Sequence, residues 1–113
     1  LHTPGDAVAK AVLLHRPGGY LLVVVPATRQ VDLSRFPEAR LATAEEIVAV
    51  FQDCEYGAVT SFGNLYGLPT YLDESFTRET WITVEAGTHT DAVRLSAEDF
   101  ARLADCERGR FAL

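Results

Sequence analysis

Asp6-Ala7-Val8-Ala9-Lys10-Ala11-Val12-Leu13-Leu14-His15, then Arg16-Pro17-Gly18-Gly19, then Tyr20-Leu21-Leu22-Val23-Val24-Val25-Pro26, reads as two strands joined by a tight turn. The second run is continuously apolar and rich in β-branched residues, the pattern of a central strand covered on both faces. Proline presets the bend and the glycines tolerate positive φ, so the turn falls between the two runs. Pro26 ends the second strand. In the first strand, alternate side chains share a face, which puts Lys10 on the same side as Val8, Val12 and Leu14. A cation there either snorkels past Val8 to water or faces an anion in a pocket, because an unpaired buried ammonium is costly. It is the chain's only lysine; the nine other basic residues are arginines. A compact point charge differs chemically from a planar fork. Lys10 is the residue to explain.

Outward from this hairpin the pattern is mixed. Asp32-Leu33-Ser34-Arg35-Phe36 predicts a short helix stopped near Pro37. Thr43-Ala44-Glu45-Glu46 is a capping box, and it opens a helix with Ala44, Ile47, Val48 and Phe51 on one stripe, ending before Gly57. The loop over residues 57–69 holds three glycines, and its aromatics Phe62 and Tyr66 are expected to be at least partly covered. Short strands follow at 70–73, at 81–86 with Ile82, Val84 and Ala86 inward, and at 92–95. Residues 87–91 form a turn, and Ser96 caps a last helix through Phe100, Leu103 and Ala104. Five or six strands with two or three helices, not in strict alternation, indicate a mixed α/β (α+β) domain. At 113 residues the chain is expected to be one domain, residues 1–113. It contains no methionine, so an N-terminal segment is expected to be missing.

Composition narrows the function. A net charge of −6 argues against a non-specific binder of DNA or RNA, which needs a broad basic surface, but leaves room for a protein that grips only the tip of a nucleic acid. No apolar run approaches the roughly 20 residues needed to cross a bilayer. Cys54 and Cys106 lie far apart with no CxxC and no histidine at zinc-binding spacing, so no metal is expected, and two reduced thiols suit a cytoplasmic protein. There is no GxSxG and no serine–histidine pairing by motif.

Several pieces fall in a telling order: Val8-Ala9-Lys10-Ala11-Val12, Val25-Pro26-Ala27, Val31-Asp32-Leu33, Gly57-Ala58-Val59-Thr60-Ser61-Phe62-Gly63, Leu68-Pro69-Thr70-Tyr71-Leu72-Asp73, Ala86-Gly87 and Asp99-Phe100. Over nearly the whole chain this resembles the YbaK/ProX family of aminoacyl-tRNA editing domains, relatives of the insertion domain of prolyl-tRNA synthetases. The resemblance implies a distorted, mainly antiparallel β-barrel with helices packed outside. It implies hydrolysis, in trans, of the ester of a mischarged tRNA carrying a small amino acid such as cysteine or alanine. It also implies no cofactor, the acceptor end of aminoacyl-tRNA as partner, and prolyl-tRNA synthetase as a further candidate partner. Such hydrolysis asks for a placed water, oxyanion stabilisation and a grip on the adenosine, not for a strong nucleophile.

By the same resemblance, Lys10 would hold the terminal adenosine's phosphate or ribose, and Gly57 would let backbone approach the scissile ester. Gly57 also suits a helix C-cap after Tyr56. Val59, Ser61, Phe62 and Gly63 would complete the substrate-binding loop, expected to form the wall opposite Lys10. The family's proline falls at Ser61, where serine adds a hydroxyl and frees an N–H. His89 either touches the tRNA end or is an exposed turn residue. Asp73 is expected to cap the turn that follows it. A second reading is a non-catalytic module sensing an aminoacyl or nucleotide ligand; a positive rim from Arg16, Arg29 or Arg78 would favour tRNA docking, an acidic rim the sensor.

Overall fold

The structure, a computed structural model, describes residues 6–54, 59–88 and 91–113. Along the chain it runs β1 (Asp6–Arg16), β2 (Gly19–Pro26), a 3-10 turn at Leu33–Arg35, β3 (Arg40–Leu41) and α1 (Ala44–Val50). It continues with a 3-10 turn at Gly63–Tyr66, β4 (Thr70–Asp73), β5 (Trp81–Thr88), β6 (Asp91–Ser96), α2 (Ala97–Leu103) and β7 (Glu107–Gly109). The strands pair in the order β6-β5-β1-β2-β4-β7, with β3 on the free edge of β1. The antiparallel pairings β1–β2 and β5–β6 carry the longer ladders, while β1–β5, β2–β4 and β4–β7 are short and parallel. This is a mixed α+β fold. Among the described residues the pairing is an open path, not a closed ring.

The hairpin forms because Gly18 and Gly19 take the positive φ that its turn requires. Leu21 to Val25 are all buried, as a strand covered on both faces demands. On one face of the sheet Ala9, Val24, Leu72, Ile82 and Val84 pack under α2 through Phe100. On the other, Leu14, Val23 and Val25 pack under Val31, Phe36 and Ala112.

The capping box at Thr43 and Glu46 is complete, with each side chain bonded to the other's backbone N–H. α1 is shorter than expected, because Phe51 at its C-cap turns into the core and packs edge-on to Tyr66, at 4.8 Å between ring centroids. β5 runs past Ala86 to Thr88, since its partner β6 begins earlier, at Asp91. Both α2 and its Ser96 cap are as the pattern predicts. The strands β3 and β7 and the 3-10 turn at Gly63 have no counterpart in the pattern reading. They are short and exist by pairing or packing with distant residues. Among the described residues no helix is long and apolar enough to cross a membrane.

Candidate functional site

A cleft of about 580 Å³ opens where β1 and β5 part company. The two strands pair in parallel from Asp6↔Trp81 to Val8↔Thr83 and no further. Two residues on, Lys10 and Glu85 would face each other across the ladder; instead the chain splays. The main chain of Ser61 steps into the gap, its N–H donating to the Glu85 carbonyl at 3.0 Å. Further along, the same edge of β1 is taken by β3 at Leu14↔Leu41. The register fixes which backbone groups face this gap. Val8 C=O bonds across to Ala27 N–H at 2.9 Å, so alternation turns the peptide groups of Ala11 the other way, toward the opening.

The opposing wall is α1. Its stripe of Ala44, Ile47, Val48 and Phe51 lines the cleft, with Val48 left 54% exposed. Among the charged residues, Lys10 and Glu85 line the opening. Lys10 is half-buried and forms no ion pair among the described residues. The three arginines expected to build a positive rim lie elsewhere. Arg29 reaches Asp73 and the Leu113 carbonyl, Arg78 pairs with Glu98, and Arg16 ends β1 beside the turn.

One polar cluster borders the apolar wall. The Tyr66 hydroxyl donates to Asp53, and the Cys54 thiol lies 3.4 Å from the phenolic oxygen and donates to the same Asp53 carboxylate oxygen at 3.9 Å. The Asp53 carboxylate and then the Cys54 contact hold the Tyr66 phenol above its usual range, so it stays protonated. Cys54 also lines the cleft. Cys106, by contrast, is packed against the core, and burial pushes its thiol up to about 12.

Of the residues expected to form the site, Lys10 and Val59 are brought together at the cleft. Ser61, Phe62 and Gly63 sit behind its wall. Ser61 is wholly buried and its hydroxyl has no hydrogen-bond partner among the described residues. Phe62 packs edge-on to Phe100 at 5.1 Å. Gly63 is glycine for packing: a Cβ there would lie 2.5 Å from Thr70 Oγ1 and 3.1 Å from a Leu22 methyl. Gly57 and His89 lie outside the described residues. The wall opposite Lys10 is therefore built mostly by α1, with Val59 contributing from the loop. Glu85, Phe51 and Cys54 were missed. An outward phase for Glu85 follows from Ile82 and Val84 pointing in, but its place beside Lys10 needs the parallel register. Among the described residues no group of histidine, cysteine and carboxylates is placed to hold a metal ion.

The aminoacyl-tRNA editing domain family matches residues 1–103 of the chain. No curated protein matches it. Among solved structures, a candidate trans-editing enzyme for prolyl-tRNA synthetase superposes with a TM-score of 0.82 at 22% identity, over 94% of this chain and 70% of that one. A scaffold protein used for grafting linear epitopes gives 0.78 at 19% identity, over 95% and 72%. A candidate signal transduction protein from Marinobacter aquaeolei VT8 gives 0.77 at 24%, over 96% of this chain but 25% of its own length. At these identities the likeness is one of fold.

Proposed function

The chain belongs to the aminoacyl-tRNA editing domain family, and from that premise we propose that its cleft hydrolyses the ester of a mischarged tRNA in trans. The observation that carries this reading is Lys10. The chain's only lysine stands at the mouth of an apolar cleft, at the fork of two strands, with no carboxylate paired to it among the described residues. A compact cation in that position suits a single phosphate oxygen of the terminal adenosine. The apolar wall of Ile47, Phe51 and Val59 suits a small, uncharged aminoacyl side chain such as that of alanine or cysteine. Gly57 would bring backbone against the scissile carbonyl, with water as the nucleophile and backbone amides stabilising the oxyanion. The place of work would be the cytoplasm, and prolyl-tRNA synthetase a candidate partner.

The test is ester loss from a panel of mischarged tRNAs, including cysteinyl- and alanyl-tRNA(Pro). Lys10→Ala should lower deacylation about 100-fold with the melting temperature unchanged, since an unpaired cation contributes little to the fold. Lys10→Arg should also be impaired, because a broad fork does not replace a point charge in a narrow opening. Equal activity of wild type and both variants would make Lys10 structural. A sensor module is a second reading, favoured by the placement of Arg16, Arg29 and Arg78 away from the cleft and by Glu85 in the lining. It predicts saturable binding of the same tRNAs with no ester loss.

A further inference from the structure

Trp81 is the chain's only tryptophan, and it stands 45% exposed on the outer face of the sheet. Arg94 lies diagonally across the β5–β6 ladder, its guanidinium carbon 4.6 Å from the centroid of the Trp81 ring. The same face continues toward the cleft. Thr83 is opposite Arg94 on one side and beside Val8 on the other. Two residues beyond Val8 is Lys10, and two beyond Thr83 is Glu85, both at the cleft. The platform and the cleft are one surface. From the level of Trp81, which pairs with Asp6, to Lys10 is four residues of β1, about 13 Å at a strand's rise.

We propose that this face is a track for the single-stranded 3′ end of the tRNA, with a base preceding the terminal adenosine stacked on Trp81. The inference rests on the deacylase reading of the cleft. Arg94 meets a backbone phosphate beside the stacked base, and Lys10 takes the phosphate nearest the ester. An aromatic ring stacks any base, and an arginine across it adds cation–π attraction, which is how single strands are held without reading sequence. The charge balance points to the same occupant. A chain of net charge −6 repels a long duplex, but one exposed aromatic in line with the Lys10 cation at the cleft suits a few unpaired nucleotides. Glu85 bounds the strip at the cleft end.

A single tryptophan makes the test specific to the site. The full chain is titrated with a short unacylated RNA of the tRNA 3′-terminal sequence, and Trp81 fluorescence is followed. Saturable quenching that weakens with salt is expected, with far less from a blunt duplex of equal length. By anisotropy of the labelled RNA, Trp81→Ala should bind about ten-fold more weakly and Trp81→Phe in between. Arg94→Gln should reduce the slope of log K against log salt by about 0.7, the value for one phosphate contact on a single strand. With acylated substrates, Trp81→Ala should raise KM for an aminoacyl-oligonucleotide and leave hydrolysis of an aminoacyl-adenosine at the wild-type rate. If wild type hydrolyses neither ester, the deacylase reading fails, while the fluorescence titration still decides the track. Absence of quenching, or equal RNA affinity of wild type and Trp81→Ala, overturns the track. So does self-association of the wild type that Trp81→Ala abolishes without any RNA affinity, which would make this face a contact between copies.

Discussion

Two polar sites at opposite edges of β1 and β2 treat their charges in opposite ways. Asp73, at the end of β4, is 2% exposed, and its own chain saturates it. One oxygen accepts from the N–H groups of Phe111 and Ala112, each at 2.8 Å, and the other from the N–H and hydroxyl of Ser75. Around it Asp32 N–H donates to the Phe111 carbonyl and Leu113 N–H to that of Gln30, so residues 110–113 are latched to the loop after β2. At the fork of β1 and β5, neither Lys10 nor the buried Ser61 hydroxyl has a partner of its kind among the described residues, ionic for the one and hydrogen-bonding for the other. A buried polar group normally finds its partners within the fold. The latch obeys that rule and is structural; the fork departs from it, and it borders the cleft for which we propose a ligand.

The largest effect that sharpens this contrast is at the latch. Asp73→Ala should destabilise the chain by about 3 kcal/mol, because it strands buried N–H donors of Ser75, Phe111 and Ala112, while cleft chemistry is spared below the melting transition. Chemical denaturation checks the number. Burial alone would raise the Asp73 carboxyl, but the Ser75 hydroxyl and the three N–H donors outweigh it and hold it below the usual carboxylate range. A depressed native pKa gives stabilisation that is complete above the ordinary carboxylate value and is lost as the pH falls through the native one. Asp73→Asn should therefore flatten the acid limb of stability against pH. An unchanged acid limb would move the acid sensitivity elsewhere.

The next effect is smaller and lies at the fork. Ser61→Pro would install the residue that the family pattern carries, yet the Ser61 N–H is bonded to the Glu85 carbonyl, and proline has no N–H to give. The substitution should cost about 1–2 kcal/mol and loosen the loop from β5. Faster amide exchange at residues 59–62 would show the loosening directly. A neutral or stabilising Ser61→Pro would mean that the loop is held by its other contacts.

How much of this was legible depended on whether the cause was local. The β1–β2 hairpin, the Thr43 capping box and the Ser96 cap were readable because alternation, turn chemistry and caps act within a few residues. The stripe on α1 was readable as a stripe, but periodicity says only that a face is apolar. It does not say whether a core covers that face or, as here, a cleft lies against it. The strand β7 was hidden because Glu107, Arg108 and Gly109 have no strand pattern of their own and pair with β4 from more than thirty residues away. The latch was hidden for a related reason. Its donors are backbone N–H groups, which every residue but proline has. Lys10 was legible by phase and rarity; its neighbour Glu85 needed the parallel register.

The smallest effect is the most discriminating. Ser61→Ala removes a buried hydroxyl that has no partner among the described residues, so no hydrogen bond there is lost and a desolvation cost is shed. The expected outcome is a gain of about 0.5–1 kcal/mol, read as a small rise in denaturation midpoint with unchanged slope. The main-chain bond to Glu85 is kept, so the fork geometry is kept with it. Deacylation should also stay near the wild-type rate, because the hydroxyl lies behind the cleft wall and takes no part in attacking the ester. Loss of activity with gain of stability would mean that the hydroxyl turns into the cleft when substrate binds. In that event the unpartnered oxygen would be a trade of stability for catalysis, with Ser61 a positioning group at the ester. A covalent acyl-enzyme on Ser61 would go further and replace water with serine as the nucleophile.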